Sequence, residues 1–442
     1  ILDFNIYVQN DEGEKVVDLG INSCTRDGLC VVKGNDASVI FENIYSNRNG
    51  VRCVAESPEG FTSLSPLTYL TRGNVRNPEI YGFKDLNSDG IYNEDEKNKT
   101  VFLAFDDDWR EALQVGAASA WSKGYTHGIF KNICLKEELG DSEKKWCDEM
   151  RKYFEWCDEI SDGKCAVPFV PVHAEGNKIY TGAISNSLIS QEPLDNRGPI
   201  SLNEYLIQTK PDRVLCVDYE DVGRCNSVLN ELPSGVEKRT ISGKWWKQIW
   251  KDYPIVVVSD YDNYKTGLLA AQIASMEGAP IFFVGVENEG IIESDIFGKL
   301  LIVVGDIQCQ SCLEKLKERN KILSYNVEDD ILVVSDENID RSLSFEQAAE
   351  FIKKRQGYFN GGTVVVNPND IKLEYCESLY DGQNTFYEMY CKMSLLAPYI
   401  SFINDAKIEF VETANPAPGV SDMIDAKDSY WNFITSLDLF NF

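Results

Sequence analysis

The densest group of oxygen donors in the chain is Asp85-Leu-Asn87-Ser-Asp89-Gly90-Ile91-Tyr-Asn93-Glu-Asp-Glu96. It matches the calcium-loop pattern D-x-N-x-D-G-x5-E in full. Asp85, Asn87 and Asp89 would turn side-chain oxygens to one centre, because Gly90 lets the backbone reverse sharply between them. Ile91 would add its carbonyl, Asn93 the ninth position and Glu96 a bidentate carboxylate, so a calcium ion is the expected ligand. The alternative is an acidic, solvated turn. No clear helix precedes the loop, and its expected role is to stiffen a joint between domains.

Three other constellations carry possible chemistry. Cys309-Gln-Ser-Cys312 follows a strand and opens a helix, the placement of a redox dithiol, where a helix N-terminus would make the first thiol nucleophilic. The tryptophan that flanks such pairs in thioredoxins is absent. His127 and His173 are the only imidazoles; no Gly-x-Ser-x-Gly turn accompanies them, although a Cys–His pair formed in space would make a hydrolase. Asp106, Asp107, Asp108, Asp260, Asp262 and Asp370 fall at the carboxyl ends of strands, where α/β sites lie. They serve equally well as turn and N-cap residues. The only adjacent glycine pair, Gly361-Gly362, precedes its strand, so no phosphate-cradling loop is expected. The expectation is a chain without enzymatic activity, with thiol–disulfide exchange at Cys309/Cys312 as the alternative. Asn98-Lys-Thr100 is an N-glycosylation sequon beside the calcium loop.

The elements that must position these groups are legible in two styles. Up to about residue 75, Phe4, Ile6 and Val8 alternate with polar residues between turn-forming stretches, which predicts a small β-sandwich over 1–78. Residues 79–99 read as a linker carrying the calcium loop. From residue 100, continuous apolar or β-branched runs appear at 101–105, 214–217, 255–258, 281–284, 300–304, 331–334 and 363–366. Such runs predict strands buried on both faces, in parallel sheets covered by helices. The fold class is therefore α/β, with repeated Rossmann-like modules at 100–208, 209–297 and 298–442. Cysteine-rich insertions are expected in the first and last.

Internal repeats support the modules. Without a gap, residues 267–284 and 394–411 are identical at 8 of 18 positions. The strands before them, from Val256 and from Val364, also match, and residues 101–121 form a weaker third copy whose returning strand falls at 167–172.

Forty-three basic against 71 acidic residues leave a formal charge of −28. That surface repels nucleic acid and anionic lipid, and attracts divalent cations. No apolar run is long enough to span a membrane. Thirteen cysteines fall as the local doublets Cys134/Cys147, Cys157/Cys165, Cys216/Cys225, Cys309/Cys312 and Cys376/Cys391, with a trio Cys24, Cys30 and Cys53. Doublets of this kind read as disulfides that clip loops in an oxidising compartment, leaving one thiol over. Buried thiols or zinc ligands are the alternative. The start at Ile1, without a basic leader, reads as a mature form or fragment whose export signal has been removed.

Ser259-Asp260, Leu269-Ala-Ala271 and Ala279-Pro-Ile281 together resemble the cell wall binding repeat 2 family, with Asp108–Leu113 and Gly116-Ala-Ala118 as a second instance. The loop at 85–96 is similar to those of dockerin-like proteins. The resemblance implies a protein of the cell envelope, as in surface layers of bacteria and archaea. It would be a calcium- and disulfide-stabilised subunit that self-assembles into a lattice or filament, or an anchor that binds envelope polysaccharide. The Arg-Tyr-(Glu)-Thr-Ala segment of that family has no clear counterpart here.

Overall fold

The computed structural model describes residues 2–10, 15–24, 51–56, 62–64, 74–84, 98–122, 159–161, 164–175, 178–185, 199–201, 210–219, 222–230, 234–286, 295–326, 331–334, 342–355, 363–366 and 393–410, with a few single positions besides. Strands β1 (Leu2–Asn10), β2 (Lys15–Cys24), β3 (Val51–Glu56) and β4 (Thr62–Leu64) form one antiparallel sheet in the order β2-β1-β3-β4. Phe4, Ile6 and Val8 all lie on β1. The second sheet that a sandwich needs does not appear among the described residues.

The connection that follows is anchored rather than loose. β5 (Val75–Arg76) carries Arg76, fully buried, whose guanidinium donates to Tyr81 Oη and to Ala118 O, both at 2.6 Å. Its charge lies against the rings of Trp121 and Trp250, at 4.6 and 4.7 Å. Burial lowers its pKa from the usual arginine value. Ile80, Tyr81 and Phe83 are buried in the main core.

That core is α/β, as the apolar runs require. The chain continues through β6 (Thr100–Phe105), α1 (Trp109–Ser119), β7 (Ala120–Ser122), β8 (Glu159–Ser161), β9 (Lys164–Ala166), β10 (Phe169–Glu175), β11 (Lys178–Ser185) and β12 (Pro199–Ser201). Next come β13 (Arg213–Asp218), α2 (Val222–Asn230), β14 (Glu237–Ser242), α3 (Trp246–Ile249), β15 (Trp250–Asp252) and β16 (Ile255–Asp260). Then follow α4 (Tyr264–Met276), β17 (Ile281–Val284), β18 (Leu300–Val304), α5 (Gln310–Arg319), β19 (Lys321–Asn326) and β20 (Ile331–Val334). The last are α6 (Phe345–Arg355), β21 (Thr363–Val366), α7 (Ala397–Ile403) and β22 (Lys407–Phe410).

The first large sheet has the order β12-β11-β10-β6-β13-β14, the second β17-β16-β18-β19-β20, and β21 pairs with β22. Strands β10, β6, β13 and β14 are parallel, as are β17, β16, β18 and β19. Antiparallel strands β11, β12 and β20 extend the edges. The first sheet draws on both the 100–208 and the 209–297 spans, and the second on 209–297 and 298–442.

The sequence repeat is a structural one. β6-α1-β10, β16-α4-β17 and β21-α7-β22 are each a strand, a helix and a parallel returning strand. Ile281 pairs with Val257 and its aligned counterpart Ile408 with Val364, so the returning strands of these two units differ by one residue in register. The three helices also close a ring. Gln114 of α1 donates to Ile281 O at 3.0 Å, and Trp109 packs edge-on against Tyr264 and Phe283. Gln272 of α4 donates to Ser401 Oγ at 2.7 Å. Tyr399 of α7 donates back to Val167 O at 2.9 Å and packs on Phe169. Gly267 is required where α4 meets α1, since a Cβ there would lie 2.8 Å from the Trp109 ring.

Candidate functional site

Strand order places two crevices. In the first sheet β6 feeds α1 towards β10 while β13 feeds α2 towards β14, so the order reverses between β6 and β13. In the second sheet the same reversal lies between β16 and β18. Such switch points leave room beyond the carboxyl ends of the strands.

The first crevice collects Asp106, Asp107 and Asp108 from the end of β6, Glu111 from α1, Asp218 from β13 and Arg224 from α2. Asp108 caps α1, its Oδ1 accepting from Arg110 N at 3.0 Å. Asp106 is buried, and its backbone N–H donates to Val172 O. Arg224 spans the crevice: Nε donates to Asp218 at 2.8 Å and Nη1 to Asp107 at 2.5 Å. Its guanidinium lies 3.9 Å from the Phe105 ring centroid. Arg110 donates from Nε to Tyr261 O at 2.9 Å and covers the Tyr261 ring, carrying the first unit onto the second.

Glu111 is the unusual group. It is 5% exposed, and its Oε1 has no hydrogen-bond partner. Burial, then the nearby charges of Asp218 and Asp108, push its pKa up to about 8, against the opposing pull of the Tyr219 backbone N–H and Arg224. At neutral pH it therefore keeps its proton. Glu111, Asp218 and Arg224 had no distinguishing sequence signal, apart from the small-residue face of α1 that turns Glu111 inward.

The second crevice is closed differently. Asp260 is buried and accepts from Gln308 N at 2.7 Å and Asp262 N at 2.9 Å. Asp262 itself is exposed, and Asn263 caps α4 through Thr266 N at 3.1 Å. Asp108 thus takes the N-cap role open to it, and Asp260 a turn-forming one.

The cysteine doublets pair as the spacing suggests for Cys134–Cys147, Cys216–Cys225 and Cys309–Cys312. Cys165 is also disulfide-bonded. Cys24 and Cys53 lie on β2 and β3, on either side of β1. Cys30, Cys157, Cys376, Cys391, His127 and Asp370 lie outside the described residues. His173 lies on β10, its backbone opposite Tyr180 of β11.

The calcium-loop residues Asp85, Asn87, Asp89, Ile91, Asn93 and Glu96 also lie outside the described residues, and their flanks do not. Asn98 N donates to Gly82 O at 2.9 Å, so the chain entering the segment and the chain leaving it meet there. Gly82, at φ +98°, admits no side chain: a Cβ would fall 2.3 Å from Asn98 O. Lys99 N donates to Asp212 at 2.8 Å, tying the exit to the first sheet. Among the described residues no group of three or more His, Cys, Asp or Glu is placed to hold a metal ion, and no helix is long and apolar enough to cross a membrane.

No protein-family model matches the chain, and no curated protein matches it. Among solved structures it is similar to Cwp8 from Clostridium difficile, at 12% identity and a TM-score of 0.35, over 92% of this chain and 56% of that one. The chain spans little more than half the length of that protein. A likeness of this degree carries no argument about function.

Proposed function

We propose that the chain is a structural component of the extracellular cell envelope, a subunit that self-assembles into a surface layer or filament and is stabilised by calcium and disulfides. The observation that carries this reading is the pairing of cysteines close in sequence. Cys134–Cys147 and Cys216–Cys225 span 13 and 9 residues, which suits a protein matured in an oxidising compartment. The closed ring of three strand–helix–strand units and the anchored Arg76–Phe83 segment suit a load-bearing role. Calcium, held by Asp85, Asn87, Asp89, Ile91, Asn93 and Glu96, would fix the joint ahead of β6 and offset part of the −28 charge. The resemblance of the repeats to cell wall binding modules points to the same location.

Negative-stain electron microscopy of the purified chain, first in a chelator and then in millimolar calcium, tests the reading. Sheets, tubes or filaments that form only with calcium are the expected result, and dispersed particles in both conditions would sink it. A second reading, an anchor for envelope polysaccharide, is favoured by the half-buried Trp109 and Tyr261 rings beside Arg110, where the first unit meets the second. It predicts saturable binding to isolated envelope without calcium-dependent lattices.

A further inference from the structure

The disulfides differ in what they can do. Cys216 and Cys225 are both 0% exposed and join a central strand to its helix. Cys309–Cys312 instead closes a separation of 3 residues, a loop so short that it restrains the unfolded chain least. It stands beyond the carboxyl end of β18, at the second switch point, in the first turn of the ten-residue helix α5. Cys309 is the N-cap, and its Sγ accepts the Cys312 N–H at 3.3 Å. Ser311 Oγ lies 3.5 Å from the same sulfur. Cys309 is 7% exposed and Cys312 3%, but Gln308, Gln310 and Ser311 around Cys309 are exposed. The pair is therefore at the molecular rim, and the Asp260–Gln308 hydrogen bond holds the turn that presents it.

We propose that Cys309–Cys312 is a thiol–disulfide exchange site whose reaction partner is a dithiol of another polypeptide. The partner's thiolate attacks the Sγ of Cys309, the less buried of the two residues; the Cys309–Cys312 bond breaks, and Cys312 leaves as a thiolate that takes up a proton. The partner's second thiolate then attacks its own sulfur in the mixed disulfide and expels Cys309. That leaving thiolate is received by the Cys312 N–H and the N-terminus of α5, which lowers the cost of the step. Two electrons and two protons pass to Cys309 and Cys312, and the partner's dithiol becomes a disulfide. Stabilising the reduced form in this way makes the pair an oxidant of its partner. Nothing comparable serves Cys216, inside β13.

The test uses the full chain, unmutated, under anaerobic conditions. The protein is titrated with dithiothreitol, quenched by alkylation and mapped pair by pair by peptide mass spectrometry. Cys309 and Cys312 are expected to be alkylated first, at a reductant concentration about tenfold below that needed for Cys216 and Cys225. Cys312→Ser, treated with oxidised glutathione, is expected to hold glutathione on Cys309. Reduction of Cys309–Cys312 together with or after Cys216–Cys225 would overturn the proposal, whatever the variant does. So would reduction of Cys134–Cys147 ahead of it.

Discussion

The two strand-end crevices are built on the same strand order and are closed by opposite means. Between β16 and β18, Asp260 satisfies both its oxygens with backbone N–H groups of its own turn and of the facing loop. Between β6 and β13, side chains do the work: Arg224 joins Asp218 to Asp107, and Glu111 is left beside them with one oxygen unpaired. A backbone clasp is indifferent to the loss of any one distant charge. The side-chain clasp depends on a proton and on one arginine. The Cys216–Cys225 disulfide reinforces the first crevice by tying β13 to α2, whereas Cys309–Cys312 spans only the first turn of α5.

The largest expected effect follows from Glu111. A free glutamate titrates at 4.5 and this one at about 8, so between those values the folded chain binds a proton that the unfolded chain has lost. Its contribution to stability is full below 4.5, falls as pH rises and is gone above about 8, a total of about 5 kcal/mol. Glu111→Gln cannot ionise and is expected to unfold at higher urea than the wild type at pH 9. The two should converge near pH 4.5. Equal urea midpoints at pH 9 would show that the carboxyl is not held neutral.

Arg224→Ala sharpens the contrast. It removes the Arg224 partner of the buried Asp218 carboxylate beside Glu111, and urea unfolding at pH 7 should show a loss of about 3 kcal/mol. Asp260→Asn in the second crevice exchanges one accepting oxygen for an NH2 group and should cost less, about 2 kcal/mol. If Asp260→Asn proved the more damaging of the two, the distinction between the crevices would fail.

Much of the scaffold was legible because it follows from burial. Val101–Phe105, Val256–Val258 and Leu301–Val304 are apolar without alternation, and each is a parallel strand covered on both faces. The ungapped repeat was legible because a helix packed against two neighbours, as α4 is, restricts its small residues at Leu269-Ala-Ala271. What escaped were strands whose pairing, not composition, makes them strands: β14 (Glu237–Ser242) is largely charged or polar yet pairs in parallel with β13 over six residues. Glu111 escaped for a related reason. Glutamate in the first turn of a helix ordinarily faces solvent, where it favours the helix dipole. Only the arrival of β13 and α2, far along the chain, buries it. Arg224 pairs with Asp107 across a sequence separation of 117, which no local pattern reveals.

Sedimentation velocity of the full chain is the most direct test of calcium-dependent assembly. Wild type and Glu96→Gln would be compared in a chelator and in millimolar calcium. One slow species is expected for both proteins in chelator, with large assemblies in calcium for the wild type alone. A single slow species for the wild type in both conditions would contradict it.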